Sequence, residues 1–176
     1  MKHEQIKRLA LTALFAALTC VATMVIQIPM PATNGFVNIG DCFVLLGAVV
    51  LGPVYGAVSG GVGSALADLF AGYAHYVPGT LIIKALMAVI AALIFRAMKK
   101  HHINTYVSQL VGSVAAELWM VLGYFLYAWL FLGKGLAAAS SIPGNLIQGA
   151  VGVVAALALY AALGEAKTLN GVKQNG

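Results

Sequence analysis

The chain has 176 residues, 61% of them hydrophobic and 9% charged, with a mean hydropathy of +0.94, which excludes a soluble domain with a charged surface. The formal charge of +5 is concentrated at the two ends and in one loop, so it bears on membrane topology and does not point to nucleic acid as a partner. Cys20 and Cys42 stand in different apolar segments with no C-x-x-C or Cys/His spacing, so two buried thiols are expected and no metal, redox motif or cofactor.

Apolar stretches of about 20 residues follow one another, each long enough at ~1.5 Å per residue to cross a hydrocarbon layer of about 30 Å. Lipid offers nothing to satisfy an open sheet edge. The expectation is an all-α integral membrane protein: one membrane domain, a bundle of six transmembrane helices. Glycine and proline punctuation places the spans at 8–27, 37–51, 54–72, 79–98, 106–132 and 142–163. The first follows a basic start, Lys2, Lys7 and Arg8, in the charge order of a signal peptide. It is long, however, and runs into "QIPMPATNGF" without a small-x-small cleavage site, so it reads as a retained span. In that loop Pro29 and Pro31 stiffen the backbone, and Asn34 and Gly35 allow a turn.

The second span is short and leaves through the tight "LGPVYG", which predicts that it stops below the inner surface or tilts little. In the third, Gly52, Gly56, Gly60, Ser64, Asp68 and Gly72 recur every four residues. Small residues at that spacing admit a neighbouring helix backbone and turn Asp68 towards packed protein. The loop "KKHHIN", with His101 and His102, reads as solvated. If both termini share a side, that side receives Lys2, Lys7, Arg8, Arg96, Lys99, Lys100, Lys167 and Lys173, and the opposite loops receive Lys134. The positive-inside rule then predicts cytoplasmic termini.

With orientation assigned, each intramembrane polar residue acquires a depth, and most fall in the outer half. Asn38 and Asp41 open the second span; Asp68 and Lys84 lie about a turn inside the outer ends of the third and fourth; Asn145 and Gln148 open the sixth. Tyr124 and Tyr127 approach the same surface, and His75 lies in the loop between spans three and four. Polar groups facing lipid are costly, so these residues are expected to turn inward around an outward-open pocket. Their mixed chemistry suits a small neutral or zwitterionic ring compound.

Structural roles compete with ligand contact at each position. Asp68 and Lys84 could form an ion pair closing the helical hairpin, Lys84 could snorkel to the surface, and Asp41 could cap its helix or pair with Lys84. Asn145 follows the helix-start signal "SSIPGN". Tyr124, Tyr127 and Trp129 fit an interfacial belt or core as well as a stacking platform. Glu117, near the middle of span five, could be a proton relay, the floor of the pocket or a helix–helix hydrogen bond, the last being the leading expectation.

The segments "GFVNIGDCFVLLGAVVLGPVYGAVSGGVGSALADLFAGY", "TLIIKALMAVIAALI", "GYFLYAWLF" and "IPGNLIQG", in that order, resemble the substrate-binding S-components of energy-coupling factor (ECF) vitamin transporters over nearly the whole chain. The resemblance is closest to the subgroup for hydroxymethylpyrimidine, pyridoxine or riboflavin. It implies a substrate-binding subunit of an importer in the bacterial cell membrane, with hydroxymethylpyrimidine or pyridoxine favoured and riboflavin or pantothenate also open as cargo. It also implies a shared membrane scaffold subunit and two separate ATPase subunits as partners. The chain itself has no G-x-x-x-x-G-K-[ST] and is not expected to be an enzyme. The family's A-x-x-x-A docking motif is matched by Ala13 and Ala17. The resemblance further implies that "QIPMPATNGF" closes over captured vitamin and that the subunit topples in the bilayer to release it. The alternative is a stand-alone proton-coupled carrier of a small heterocycle, with Glu117 and Asp68 as proton-linked groups.

Overall fold

A computed structural model of the chain describes residues 2–30 and 35–164. The expectations for Pro31, Asn34, Lys167 and Lys173 lie outside the described residues. Six α-helices account for most of the chain: α1 (Lys2–Val25), α2 (Asp41–Leu51), α3 (Pro53–Phe70), α4 (Val77–Lys100), α5 (Thr105–Leu130) and α6 (Ile142–Gly164). A 3-10 helix, Gly135–Ser141, leads into α6. The loop predicted between the first two spans contains two short strands, β1 (Gln27–Met30) and β2 (Gly35–Asn38). They pair antiparallel with Gln27 opposite Asn38 and Ile28 opposite Val37.

The prediction of six spanning helices needs correction. The segments His3–Val25, Val77–Lys100, Thr105–Leu130 and Gly135–Leu163 are long and apolar enough to cross a membrane. α2 has 11 residues and is only about 16 Å long, well short of a hydrocarbon core. The Gly- and Ser-rich α3, with 18 residues, falls outside that set as well. α2 does not need to face lipid, because Val44, Leu45, Leu46 and Ala48 are sealed in the centre of the bundle, packed by α1, α3, α4 and α6.

The depth of α2 is fixed at both ends. Its first residue, Asp41, pairs with Lys84, about two turns into α4. Its last turn ends at Gly52, whose Cα faces the Arg96 guanidinium. Gly52 has φ +84°, a left-handed conformation that glycine takes without strain, and Pro53 follows as the first helical residue of α3. The first turns of α4 therefore project past α2 at the end of the bundle where the β1–β2 hairpin sits.

On α3 the row members Gly56 and Gly60 meet α2 closely, as their spacing predicts, and Gly61 and Gly63, outside the row, do the same towards α4 and α1. A Cβ on Gly56 would lie 2.9 Å from the Ala48 Cα of α2, and one on Gly61 would lie 2.9 Å from the Leu81 carbonyl of α4. On the side facing α1, a Cβ on Gly63 would lie 2.5 Å from the Ala16 carbonyl. Backbones in contact on three sides supply the dispersion energy that the hydrophobic effect cannot supply between helices in lipid. On α1, Thr12, Phe15, Thr19 and Thr23 form the buried stripe at the spacing of one helix face. The Thr12 hydroxyl donates to the Arg8 carbonyl at 2.7 Å, which keeps that polar group satisfied without water.

At the end away from the hairpin, Asn104 caps α5 by accepting from the Tyr106 and Val107 amides at 2.9 and 3.4 Å. Lys99 closes the "KKHHIN" turn by donating to the Ile103 carbonyl and the Thr105 hydroxyl. Polar residues are buried in this half too: Ser108, Gln109 and Ser113 are sealed, and the Gln109 Nε2 donates to the Ala156 carbonyl at 3.1 Å. The polar groups are thus less confined to one half than the sequence reading had them.

Candidate functional site

Where the hairpin, α2, α4 and α6 meet, a connected set of polar side chains lies buried. Asp41, the first residue of α2, is 1% exposed and Lys84 is 2% exposed. The Lys84 ammonium donates to one Asp41 oxygen, and the Gln148 Nε2 of α6 donates to the other at 2.7 Å. The Gln148 carbonyl in turn accepts from the Asn38 backbone amide at 2.8 Å and from its side-chain amide at 3.4 Å. The Asn38 Oδ1 accepts from the Gly40 amide at 2.8 Å. One chain of hydrogen bonds therefore joins β2, α2, α4 and α6.

Of the two partners the sequence offered Lys84, Asp41 forms the ion pair and Asp68 does not. Lys84 lies one turn beyond Thr80 on α4, at the depth where α2 starts, so the carboxylate opening α2 reaches it directly. Asp68, on α3, lies in the field of Lys84 and beside the Thr80 hydroxyl, and is itself buried. Snorkelling of Lys84 is overturned by its burial. An ion pair sealed this far from water offsets its desolvation only because both partners carry further contacts. Asp41 has the Gln148 bond, and the Lys84 nitrogen lies 5.5 Å from the centre of the Tyr124 ring, within cation–π range.

Aromatic side chains surround this set towards the hairpin end. Tyr124 donates to the Thr80 hydroxyl at 3.1 Å, and Tyr127 donates to the His75 carbonyl at 2.9 Å. Tyr76 lies 6.3 Å from the Tyr124 ring and 6.0 Å from Tyr127, and Phe36 of the hairpin lies 4.8 Å from Tyr73. His75 has an exposed side chain packed on Tyr76 at 4.8 Å, so it stands at the rim, apart from the buried set. Asn145 is buried in the first turn of α6, one turn nearer that rim than Gln148. Trp129 is on the exposed side of α5.

Glu117 lacks the well-formed helix–helix hydrogen bond that was the leading expectation, and the carboxyl beside it is that of Asp41. Glu117 is 5% exposed, yet neither carboxyl oxygen has a hydrogen-bond partner. It lies against α6 where Gly149 and Gly152 leave room: a Cβ on Gly152 would be 2.8 Å from the Glu117 Oε1 and 3.0 Å from the Asp41 Cβ. The carboxyls of Glu117 and Asp41 are close enough to repel one another when both are charged and to approach hydrogen-bond range when one holds a proton, with Lys84 opposing the repulsion. On its other side, Glu117 borders a cleft of about 350 Å³ between α5 and α6, walled by Val114, Leu118, Leu146 and Val154.

Thr80, Trp119 and Tyr76 were not singled out from the sequence. Trp119 donates to the Ile83 carbonyl at 3.1 Å and so fixes α5 against the turn of α4 that carries Lys84. A detectable signal existed for Thr80, which precedes Lys84 by one helical turn on the same face. Among the described residues no group of His, Cys, Asp and Glu could hold a metal ion.

Comparison with known proteins decides the family. Residues 3–165 match the family model described as "ECF-type riboflavin transporter, S component". The chain belongs to the S components of ECF-type transporters. This S component is thus a subunit of a membrane transporter and not an enzyme, and its family takes vitamins with the help of ECF partner subunits. It is 30% identical over 175 residues to the thiamine precursor transporter HmpT of Lactococcus lactis subsp. cremoris (strain MG1363), covering 99% of this chain and 98% of the relative. It is also 37% identical over 134 residues to an uncharacterized protein of Pyrococcus woesei, covering 76% and 86% of the two chains. Among solved structures it resembles the S component of a bacterial ECF transporter, with a TM-score of 0.68 at 25% identity, covering 91% of this chain and 96% of the other.

Proposed function

We propose that this S component captures a small nitrogen heterocycle of the thiamine-precursor type, hydroxymethylpyrimidine ahead of pyridoxine, at the hairpin end of the bundle. The single observation that carries this reading is the buried chain Asn38–Gln148–Asp41–Lys84 beneath the hairpin. It is polar chemistry that a purely structural bundle core would avoid, since well-packed apolar residues in its place are as stable or more so. Likeness to HmpT along almost the entire chain favours the pyrimidine over riboflavin or pantothenate.

In this reading Asn38, Asp41, Lys84 and Gln148 supply hydrogen bonds, and Tyr124 supplies a ring face. Asp68 and Asn145 complete the polar wall, and His75 stands at the entrance. The hairpin closes over cargo at the extracellular side of a bacterial cell membrane, with six helices embedded and both termini in the cytoplasm. Ala13 and Ala17, exposed on α1, dock the ECF scaffold subunit, and two ATPase subunits drive release into the cell.

The test is to purify the protein in detergent and identify the co-purifying compound by mass spectrometry, then titrate hydroxymethylpyrimidine, pyridoxine and riboflavin against ligand-free protein. Hydroxymethylpyrimidine is expected to co-purify and to bind tightest. Saturation by riboflavin with no pyrimidine binding would overturn the assignment.

A further inference from the structure

In the polar chain every side-chain acceptor oxygen already holds at least one donor. The Asp41 oxygens hold Lys84 and Gln148, the Gln148 carbonyl holds Asn38, and the Asn38 carbonyl holds the Gly40 amide. Hydrogen-bond donors remain: the ammonium of Lys84 has three N–H groups and the amides of Gln148 and Asn38 two each, more than these contacts use. The acceptor left over beside this cluster is the Glu117 carboxyl, 95% buried with both oxygens unpartnered. The Thr19 and Ser64 hydroxyls and the Gln109 carbonyl also lack partners. None of these three carries charge, and Gln109 belongs to the opposite end of the bundle. Charge balance points the same way. Three carboxyls, Asp41, Asp68 and Glu117, lie around one cation, Lys84, and Glu117 is the one of them with no donor on either oxygen.

We propose that Glu117 is the specificity-determining acceptor of the site, receiving an exocyclic amino group of the heterocycle while a neighbouring ring nitrogen accepts from Lys84 or Gln148. An aminopyrimidine presents that donor-beside-acceptor edge. A ring lacking the amino group leaves the buried carboxyl unpaired, as it is without ligand, and gains nothing from it. This deepens the proposed function and rests on it, since it names the group that makes the site choose an amino-bearing ring. Gly149 and Gly152 are part of the arrangement, because side chains there would occupy the space of the carboxyl.

The experiment compares 4-amino-5-hydroxymethyl-2-methylpyrimidine with its analogue lacking the 4-amino group, by calorimetry on purified wild type and Glu117→Met, which removes the acceptor. Wild type is expected to prefer the amino compound by about tenfold, the effect of one buried hydrogen bond. Glu117→Met should bind the amino compound that much more weakly and the analogue unchanged, erasing the preference while remaining folded in thermal unfolding. Equal wild-type affinity for the two compounds overturns the role of Glu117 and leaves the capture function standing, and this arm holds even if the variant fails to fold. A preference that survives in Glu117→Met also overturns it. Failure of wild type to bind either compound overturns the proposed function itself, and the inference with it.

Discussion

At the scale of single residues, the decisive contact is Lys84 with Asp41. Both groups are sealed from water, so neither can be removed alone without leaving a buried charge uncompensated, which costs about 3–5 kcal/mol. Asp41→Asn and Lys84→Met are each expected to lower stability by that order in thermal or denaturant unfolding of the detergent-solubilised protein. Asp41→Leu combined with Lys84→Met is expected to recover most of the loss, with ligand binding gone. A double variant as unstable as the sum of the singles would show that the pair does not act as a unit. The sequence made an intramembrane lysine and three acids visible, and their rarity in lipid marked them as functional. It could not choose between Asp41 and Asp68 as the lysine's partner, because that depends on how deep α2 begins relative to α4. Asp68 instead found a neutral neighbour in Thr80, a residue with no signal strong enough to compete with a charge.

At the scale of elements, α1 and α3 were the most legible. The small residues of α3 recur at a spacing suited to close helix packing, and the contacts of Gly56 and Gly60 with α2 bear this out, while the close approaches at Gly61 and Gly63 fall outside that spacing. α1 turns Thr12, Phe15 and Thr19 inward and leaves Ala13 and Ala17 exposed. The two alanines stand on its free face among the exposed Leu9, Leu14 and Leu18, where the proposed docking motif would allow close helix approach. Ala13→Trp and Ala17→Trp are expected to abolish uptake in cells that supply the ECF partner subunits, with ligand affinity of the purified subunit unchanged. Loss of binding in the isolated protein would count against a docking role. The hairpin was less legible. "QIPMPATNGF" carries prolines and too few alternating residues to signal strands, yet β1 and β2 pair there with Gln27 opposite Asn38.

At the scale of the whole molecule, the shortness of α2 shapes the site. Starting at the level of Lys84, α2 leaves the first turns of α4 and the last turns of α5 standing past it, and the hairpin and aromatic residues occupy that end. The proposed orientation in the membrane rests on charge: Arg96, Lys99 and Lys100 collect at the end opposite the hairpin, with Lys134 at the other. In a background with Cys20 and Cys42 replaced by alanine, an impermeant maleimide is expected to label Lys134→Cys in intact cells and His102→Cys only after permeabilisation. The reverse pattern would place the hairpin end inside the cell and defeat extracellular capture. Composition, the charge distribution and the run of apolar segments were enough to determine a helical membrane protein, its approximate helix boundaries and the residues too polar for lipid, because those are properties of each segment against its solvent. Which helix stops short, which carboxylate meets Lys84 and which is left without a partner were decided only by the tertiary packing. Those outcomes depend on the relative depths of helices far apart in sequence, and no local pattern encodes a depth.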